Sequence, residues 1–271
     1  MKTWQGIKVK MSIVMLFVFL STFILLLIST FVAFNFYEPV DIIWLADAPI
    51  AHRGLHSESV PENSLAAFDA AIQGGYHIEL DVRLTKDNVP VVFHDANTLR
   101  MTGVKHNLSQ ITLEMAKTLF LKNTDQTIPT LQEALEFIGG QVSVLVEIKA
   151  GLDQKLDKVV EVLQEYSGKF ALQFFNPWVA AFFAQKMPNV ARGMLYGGIG
   201  NNIPAFLLRL RDNVASMIAR PNFVSYQKEY IHNMGYNAWR QNGLFVLGYT
   251  FKQSSLPTEF APFIDNVIFD Q

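Results

Sequence analysis

Along the chain, short apolar, β-rich runs alternate with stretches whose apolar positions recur at helical spacing. The runs are Ile50–His52, His77–Asp81, Val142–Ile148, Phe170–Phe174, Ala191–Tyr196, Phe223–Tyr226, Phe245–Tyr249 and Asn266–Phe269. The helical stretches are Ser64–Gln73, Thr130–Ile138, Gln154–Tyr166, Trp178–Lys186, Pro204–Ala219 and Lys228–Gln241. This alternation predicts parallel strands joined by crossover helices. Eight strands over roughly 220 residues fit a single α/β domain, a TIM (β/α)8 barrel. One further run, Val89–His94, follows Asp81 too closely for a parallel crossover. It predicts an antiparallel hairpin after strand 2, turning at Asp87-Asn88. A two-residue loop would pair Lys86 with Val89 and set His94 opposite Asp81 on one face of the sheet.

The N-terminus follows a different pattern. Between Lys10 and Glu38 runs an uncharged stretch, Met11–Tyr37, dense in Phe, Leu, Ile and Val. As a helix it exceeds the roughly 30 Å hydrocarbon core of a bilayer, which predicts one transmembrane helix. The chain thus divides into a tail over 1–10, a span over 11–37, a linker over 38–48 and the barrel over 49–271. Lys2, Lys8 and Lys10 precede the span and Glu38, Asp41 and Asp47 follow it. That asymmetry places the N-terminus in the cytoplasm and the barrel outside it. The rival reading is secretion after signal cleavage. Its apolar core would be too long, and the small-residue site Ala46-Asp47-Ala48 is followed by Pro49. The chain stops at Phe269-Asp270-Gln271, directly after the last strand. The absence of a closing helix is expected to leave part of the barrel wall to another chain or to the membrane.

Composition narrows the classes. The 271 residues are 50% hydrophobic and 17% charged, which excludes a disordered chain. Without Cys there is no disulfide, thiolate metal site or cysteine nucleophile. A net charge of −2 and no basic run offer nothing to nucleic acid.

Active sites of such barrels lie at the C-terminal ends of the strands. The first strand ends in Ala51-His52-Arg53-Gly54. On the second, Glu79 and Asp81 share a face by period two, as Glu147 and Lys149 do on the third. Taken singly, each acid reads as a surface salt bridge and each histidine as a structural one. Together they place an acid–base pair, a set of carboxylates and two cations at strand ends. Converging carboxylates repel unless a cation joins them, and all-oxygen donors favour Mg²⁺ or Ca²⁺. This equipment suits phosphodiester hydrolysis.

Five linked motifs carry a resemblance. They are Ala51-His52-Arg53-Gly54, Pro61-Glu62-Asn63-Ser64-Leu65-Ala66-Ala67-Phe68, Ile78-Glu79-Leu80-Asp81-Val82, Thr85-Lys86-Asp87 with Pro90-Val91-Val92-Phe93-His94-Asp95, and Glu147-Ile148-Lys149. In that order the chain resembles the glycerophosphodiester phosphodiesterases, densely over Ala51–Gly103 and more faintly to the C-terminus. The resemblance implies that His52 and His94 are the general acid and base. It implies that Glu79, Asp81 and Glu147 hold one divalent cation, and that Arg53 and Lys149 neutralise the phosphate. Glu62 reads equally as a further metal ligand or as an acid at a helix start, with Asn63 as N-cap. The attacking oxygen would be the glycerol 2-hydroxyl or water. The substrate would be a glycerophosphodiester or, as a second reading, a membrane lysophospholipid cleaved as by a lysophospholipase D. A third reading is a non-catalytic, membrane-tethered ligand-binding barrel.

Some positions depart from the family. Phe174 stands where many relatives carry Ser and is expected to make the pocket more apolar. Tyr249 stands where relatives often carry Trp, against the alcohol. The Trp178–Phe183 stripe reads as core. Tyr196-Gly197-Gly198-Ile199-Gly200 lacks the Lys and Ser/Thr of a phosphate loop and reads as a βα loop bordering the pocket.

Overall fold

A computed structural model describes residues 13–25, 27, 40–197, 205–231, 243–252, 254–255 and 257–271. Eight parallel strands form a closed ring: β1 (Ile50–Ala51), β2 (His77–Leu84), β4 (Val144–Ile148), β5 (Phe170–Phe174), β6 (Arg192–Tyr196), β7 (Phe223–Gln227), β8 (Phe245–Phe251) and β9 (Asn266–Phe269). Pairing of β1 with both β2 and β9 closes it. The helices α2 (Leu65–Gln73), α5 (Leu131–Ile138), α6 (Asp157–Glu165), α7 (Pro177–Lys186) and α8 (Ala205–Ala219) lie between consecutive barrel strands. β5 and β9 have the bounds that the apolar runs predict, and the others differ by one to three residues at an end. The expected helix over Lys228–Gln241 begins as a short 3-10 turn, Lys228–Tyr230; its remainder from 232 lies outside the described residues.

Among the described residues of the barrel itself, the apolar core forms two clusters separated by the strands. Outward residues such as Leu80, Val82, Val146, Leu172 and Val224 pack under the helices. Inward residues Ile50, Leu145, Ala171, Phe223, Leu247 and Ile268 form a second cluster with Ile42, Trp44 and Leu45. The segment expected to be a linker over 38–48 therefore supplies the plug of the barrel's N-terminal mouth. Residues Ile43–Ala46 form a 3-10 turn there. Asn266 donates to the carbonyls of Leu45 at 2.6 Å and Ala48 at 2.7 Å, and His77 Nε2 meets the Trp44 carbonyl at 3.0 Å. The backbone groups of the plug are satisfied inside an apolar cluster, as burial demands.

β3 (Pro90–Val92) runs antiparallel to β2. Its register pairs Val82 with Val92 and Leu84 with Pro90, which puts Phe93 opposite Asp81 and corrects the expected His94. The turn is one residue longer than expected: Thr85 N donates to Val89 O, and Asn88 takes the left-handed conformation at φ +62°. A one-residue slip changes which face each side chain takes. The excursion that follows, with α3 (Leu99–Thr102) and α4 (Leu113–Lys117), has an apolar cluster of its own built on Val91, Phe93, Met101, Leu108 and Leu121.

Residues 13–25 are helical (α1), with apolar side chains largely exposed, Phe17 and Phe19 each at 70%. No helix among the described residues is long and apolar enough to cross a membrane. Much of the stretch expected to span one, Met11–Tyr37, lies outside the described residues.

Candidate active site

Period-two alternation decides which strand residues face the barrel axis. Asp81 pairs in register with Glu147, and Glu147 with Gln173. Glu79, Asp81, Glu147, Gln173 and Ser225 are buried polar residues, while their neighbours Leu80, Val146 and Phe174 belong to the outer core. Phe174 stacks on Phe183 with centroids 5.4 Å apart, under α7. It does not make the pocket apolar, contrary to expectation. Gln173 reaches the site instead, donating to Glu79 Oε1 at 3.3 Å and accepting from Ser225 Oγ at 3.2 Å.

One carboxylate oxygen from each of Glu79, Asp81 and Glu147 lies within 4.8 Å of the other two. Lys149 Nζ stands 2.5 Å from Glu147 Oε1 and 3.2 Å from Asp81 Oδ1. Arg53 Nε is 3.4 Å from Asp81 Oδ2. Burial raises Glu79 well above the ordinary carboxylate range, and Asp81 and Glu147 add to it. Burial and Asp81 push Glu147 up to about 7, against Lys149 and Arg53. Burial pushes Asp81 up as well, but Lys149, Arg53, His94 and the Asn63 hydrogen bond outweigh it and hold it down. Two cations thus leave three carboxylates undercompensated. Asp81 Oδ1 is buried and accepts no hydrogen bond. A buried, all-oxygen donor set, with one carboxylate oxygen that meets Lys149 but accepts no well-formed hydrogen bond, fits a hard divalent cation.

Local structure brings these groups together. Arg53 is left-handed at φ +58°, which lets its backbone N–H donate to Glu79 Oε2 at 3.0 Å. Gly54 follows at φ +79°, and a Cβ there would stand 2.8 Å from the Ala67 Cβ. A side chain at 54 would drive the loop off α2. Asn63 is not the N-cap of α2; Ser64 is, its Oγ accepting from Ala67 N at 3.2 Å. Asn63 instead clasps Asp81, donating to Oδ2 at 2.8 Å and accepting from the Asp81 N–H at 3.3 Å.

Each histidine has a carboxylate at Nδ1. His52 Nδ1 lies 2.7 Å from Asp270 Oδ1, which also meets His56 Nε2 at 3.4 Å. His94 Nδ1 lies 2.7 Å from Asp95 Oδ1, and the His94 carbonyl accepts from Arg83 Nε at 2.7 Å. Burial, Lys149 and Arg53 hold His94 below the ordinary imidazole value against the pull of Asp81 and Asp95. Glu62 lies between two guanidiniums, Arg53 Nη1 at 2.8 Å and Arg100 at 2.7 Å, and outside the three-carboxylate group. Burial pushes its carboxyl up, and Arg100 and Arg53 more than reverse this, to about 2.

Sequence reasoning missed Asp270, Asp95, Arg100, Asn63 and Gln173 as partners. Alternation could have found Gln173, two positions from Ala171, and Asp270, two beyond the inward Ile268. Nothing in the sequence marks Arg100. Tyr249 is half-buried with its hydroxyl donated to the Tyr196 carbonyl at 3.1 Å. Of the Trp178–Phe183 stripe, Val179, Ala180 and Phe183 are core while Trp178 is exposed. Gly198-Ile199-Gly200 lies outside the described residues.

The barrel with acids and histidines at its C-terminal mouth defines a phosphodiesterase-like class, and comparison with known proteins agrees. The profile of the glycerophosphoryl diester phosphodiesterase family matches residues 52–262, so the chain belongs to that family. It is 36% identical over 160 residues to a glycerophosphodiester phosphodiesterase of Caldanaerobacter subterraneus subsp. tengcongensis, covering 54% of this chain and 65% of that one. It is 33% identical over 130 residues to a lysophospholipase D of Rattus norvegicus, covering 43% of this chain and 41% of the relative. These matches span less than two thirds of either relative. A phosphodiesterase of Oleispira antarctica, solved with its product sn-glycerol-3-phosphate, superposes with a TM-score of 0.66 at 25% identity. That match covers 88% of this chain and 95% of the other.

Proposed function

We propose that this chain hydrolyses glycerophosphodiesters to glycerol 3-phosphate and an alcohol at the C-terminal mouth of the barrel. The observation that carries this is the Glu79–Asp81–Glu147 cluster flanked by two histidines, each braced at Nδ1 by a carboxylate. A divalent cation, Mg²⁺ or Ca²⁺, held by Glu79, Asp81 and Glu147 would supply Lewis acidity at the phosphoryl oxygen. Lys149 and Arg53 supply the fixed positive charge that neutralises the phosphate. Asp270 and Asp95 fix ring orientation and tautomer, which leaves Nε2 of His52 and His94 for proton transfer. One histidine takes the proton of the attacking hydroxyl, and the other protonates the departing alcohol. Attack by the glycerol 2-hydroxyl expels the alcohol to leave a cyclic phosphate that water then opens to glycerol 3-phosphate, and it predicts inertness toward substrates that lack this hydroxyl, whereas direct attack by water does not.

The test is glycerol 3-phosphate release from glycerophosphocholine by the full chain, after EDTA and then with Mg²⁺ or Ca²⁺. Turnover lost in EDTA and restored by cation is the expected outcome. A folded, cation-loaded protein that releases nothing from this substrate or from lysophosphatidylcholine would overturn the reading in favour of a binding module.

One observation favours lysophospholipase D chemistry as a second reading. An apolar groove of about 660 Å³ between α7 and α8 is lined by Phe175, Trp178, Leu207 and Val214. The Phe175 ring lies 5.8 Å from Lys149 Nζ, so the groove starts beside the proposed phosphate site. A higher kcat/KM on lysophosphatidylcholine than on glycerophosphocholine would select this reading.

Membrane attachment through Met11–Tyr37, with the barrel outside the cytoplasm, is part of the proposal. It is supported by the uncharged length of that stretch and the lysines before it. Ile42–Leu45 fill the N-terminal mouth, so Val40, to which an anchor would connect, lies at the end of the barrel away from the site. The full chain should stay with membranes through alkaline carbonate washing; release into the supernatant would refute the anchor.

A further inference from the structure

One guanidinium joins the two sides of the site. Arg100 Nε donates to Asp95 Oδ2 at 2.7 Å and Nη2 to Asp95 Oδ1 at 3.2 Å. The same group donates to Glu62, Nη1 to Oε2 and Nη2 to Oε1, both at 2.7 Å. The two oxygens that Nη2 touches are already in use. Asp95 Oδ1 is the atom that braces His94 Nδ1, and Glu62 Oε1 is the atom that accepts from Arg53 Nη1 at 2.8 Å. A continuous path therefore runs from the His94 ring through Asp95, Arg100 and Glu62 to the Arg53 guanidinium, pivoting on one nitrogen.

Two simpler roles fit poorly. With Nε, Nη1 and Nη2 all engaged by carboxylates, little of the fork is left to bind a substrate phosphate. A purely electrostatic role would not need the fork, because the Arg100 side chain is 45% exposed and a Lys there would carry the same charge to Glu62. What a planar, doubly bidentate fork does supply is geometry. Its base is fixed: α3 carries Arg100 between Thr98, whose hydroxyl donates to Val104 O at 2.6 Å, and the buried Met101 of the local apolar cluster.

We propose that Arg100 is a positioning residue that sets the His94 imidazole through Asp95 and the Arg53 guanidinium through Glu62. The excursion after β3 thereby serves to deliver this one side chain. The inference rests on the hydrolytic reading of the site.

The test is steady-state kinetics of the cation-loaded full chain with Arg100→Lys, which keeps the charge and loses the fork, and Arg100→Ala. Both are combined with Asp95→Asn and Glu62→Gln, with melting temperatures measured alongside. Each Arg100 variant should lose on the order of 10- to 100-fold in kcat/KM, the usual cost of an outer partner of a reacting group. Millimolar guanidinium should restore part of the loss in Arg100→Ala and leave the wild type unchanged. In the Asp95→Asn background the remaining effect of Arg100→Lys should fall on KM, through Arg53; in the Glu62→Gln background it should fall on kcat, through His94. Wild-type kinetics in both Arg100 variants would overturn the inference, as would losses identical in every background. If the wild type itself turns over no glycerophosphodiester, the hydrolytic reading fails and this inference falls with it. An active wild type with unaffected Arg100 variants removes this inference alone.

Discussion

The two ends of the barrel are built from the same strands and differ by a single step of alternation. Ile50 precedes His52, Leu145 precedes Glu147, Ala171 precedes Gln173, Phe223 precedes Ser225, and Ile268 precedes Asp270. The first member of each pair lies in the apolar plug cluster with Trp44 and Leu45. The second faces the C-terminal mouth, where burial and the neighbouring Asp81 carboxylate push Glu79 and Glu147 up. Two residues of rise, about 7 Å, take the interior from apolar packing to undercompensated charge. The lower end gains stability from area removed from water. The upper end holds charges that a stable core would exclude, which is how functional sites depart from core rules.

Mutations at the two ends should therefore separate activity from stability. His94→Ala or His52→Ala should lower kcat on the order of 10²- to 10⁴-fold while the melting temperature moves little. Full activity in either variant would remove that histidine from the chemistry. Leu45→Ala at the fully buried plug should do the reverse. It should cost about 2–5 kcal/mol in denaturant unfolding, with kcat/KM per folded molecule unchanged. If Leu45→Ala proves neutral, the plug is not part of the cooperative core.

The same contrast explains what is legible in the sequence. Strands such as Phe170–Phe174 and Asn266–Phe269 announce themselves because β-branched and aromatic runs bounded by polar residues have few other uses. Glu79, Asp81, Glu147 and His52 stand out in the sequence as candidates because strand ends and period two concentrate them, and His94 because a β-rich run ends there. The plug shows in the sequence only as linker because four residues, Ile42–Leu45, are too few to show any period. The hairpin register slipped by one because the turn length depends on Asn88 adopting positive φ, which residue type permits without requiring. Partners distant in sequence were out of reach. Asp270 braces His52 across most of the chain, and Arg100 meets Glu62 across an excursion whose path only the fold defines. The expectation for Phe174 fails because residue type alone does not tell which face a strand position takes, and alternation turns Gln173, one residue back, toward the site.

Acid sharpens the comparison further, because the upper end contains a stabilising ion-pair element that the lower end lacks. Glu62 is depressed from 4.5 to about 2 by Arg100 and Arg53, despite burial that acts the other way. A carboxyl depressed in the folded state contributes stability that is fully present above its unfolded value and lost as pH falls through its folded one. The window is therefore pH 4.5 down to about 2. A shift of this size corresponds to about 3 kcal/mol at most, and less where solvent reaches the Arg100 side of the pair. Unfolding followed by the fluorescence of buried Trp44 should show stability falling across that window in the wild type. Glu62→Gln should start lower at pH 7 and fall less steeply between 4.5 and 2, whereas Leu45→Ala should lower the whole curve and keep its shape. Equal slopes in wild type and Glu62→Gln would show that the clamp around Glu62 positions groups without stabilising the fold.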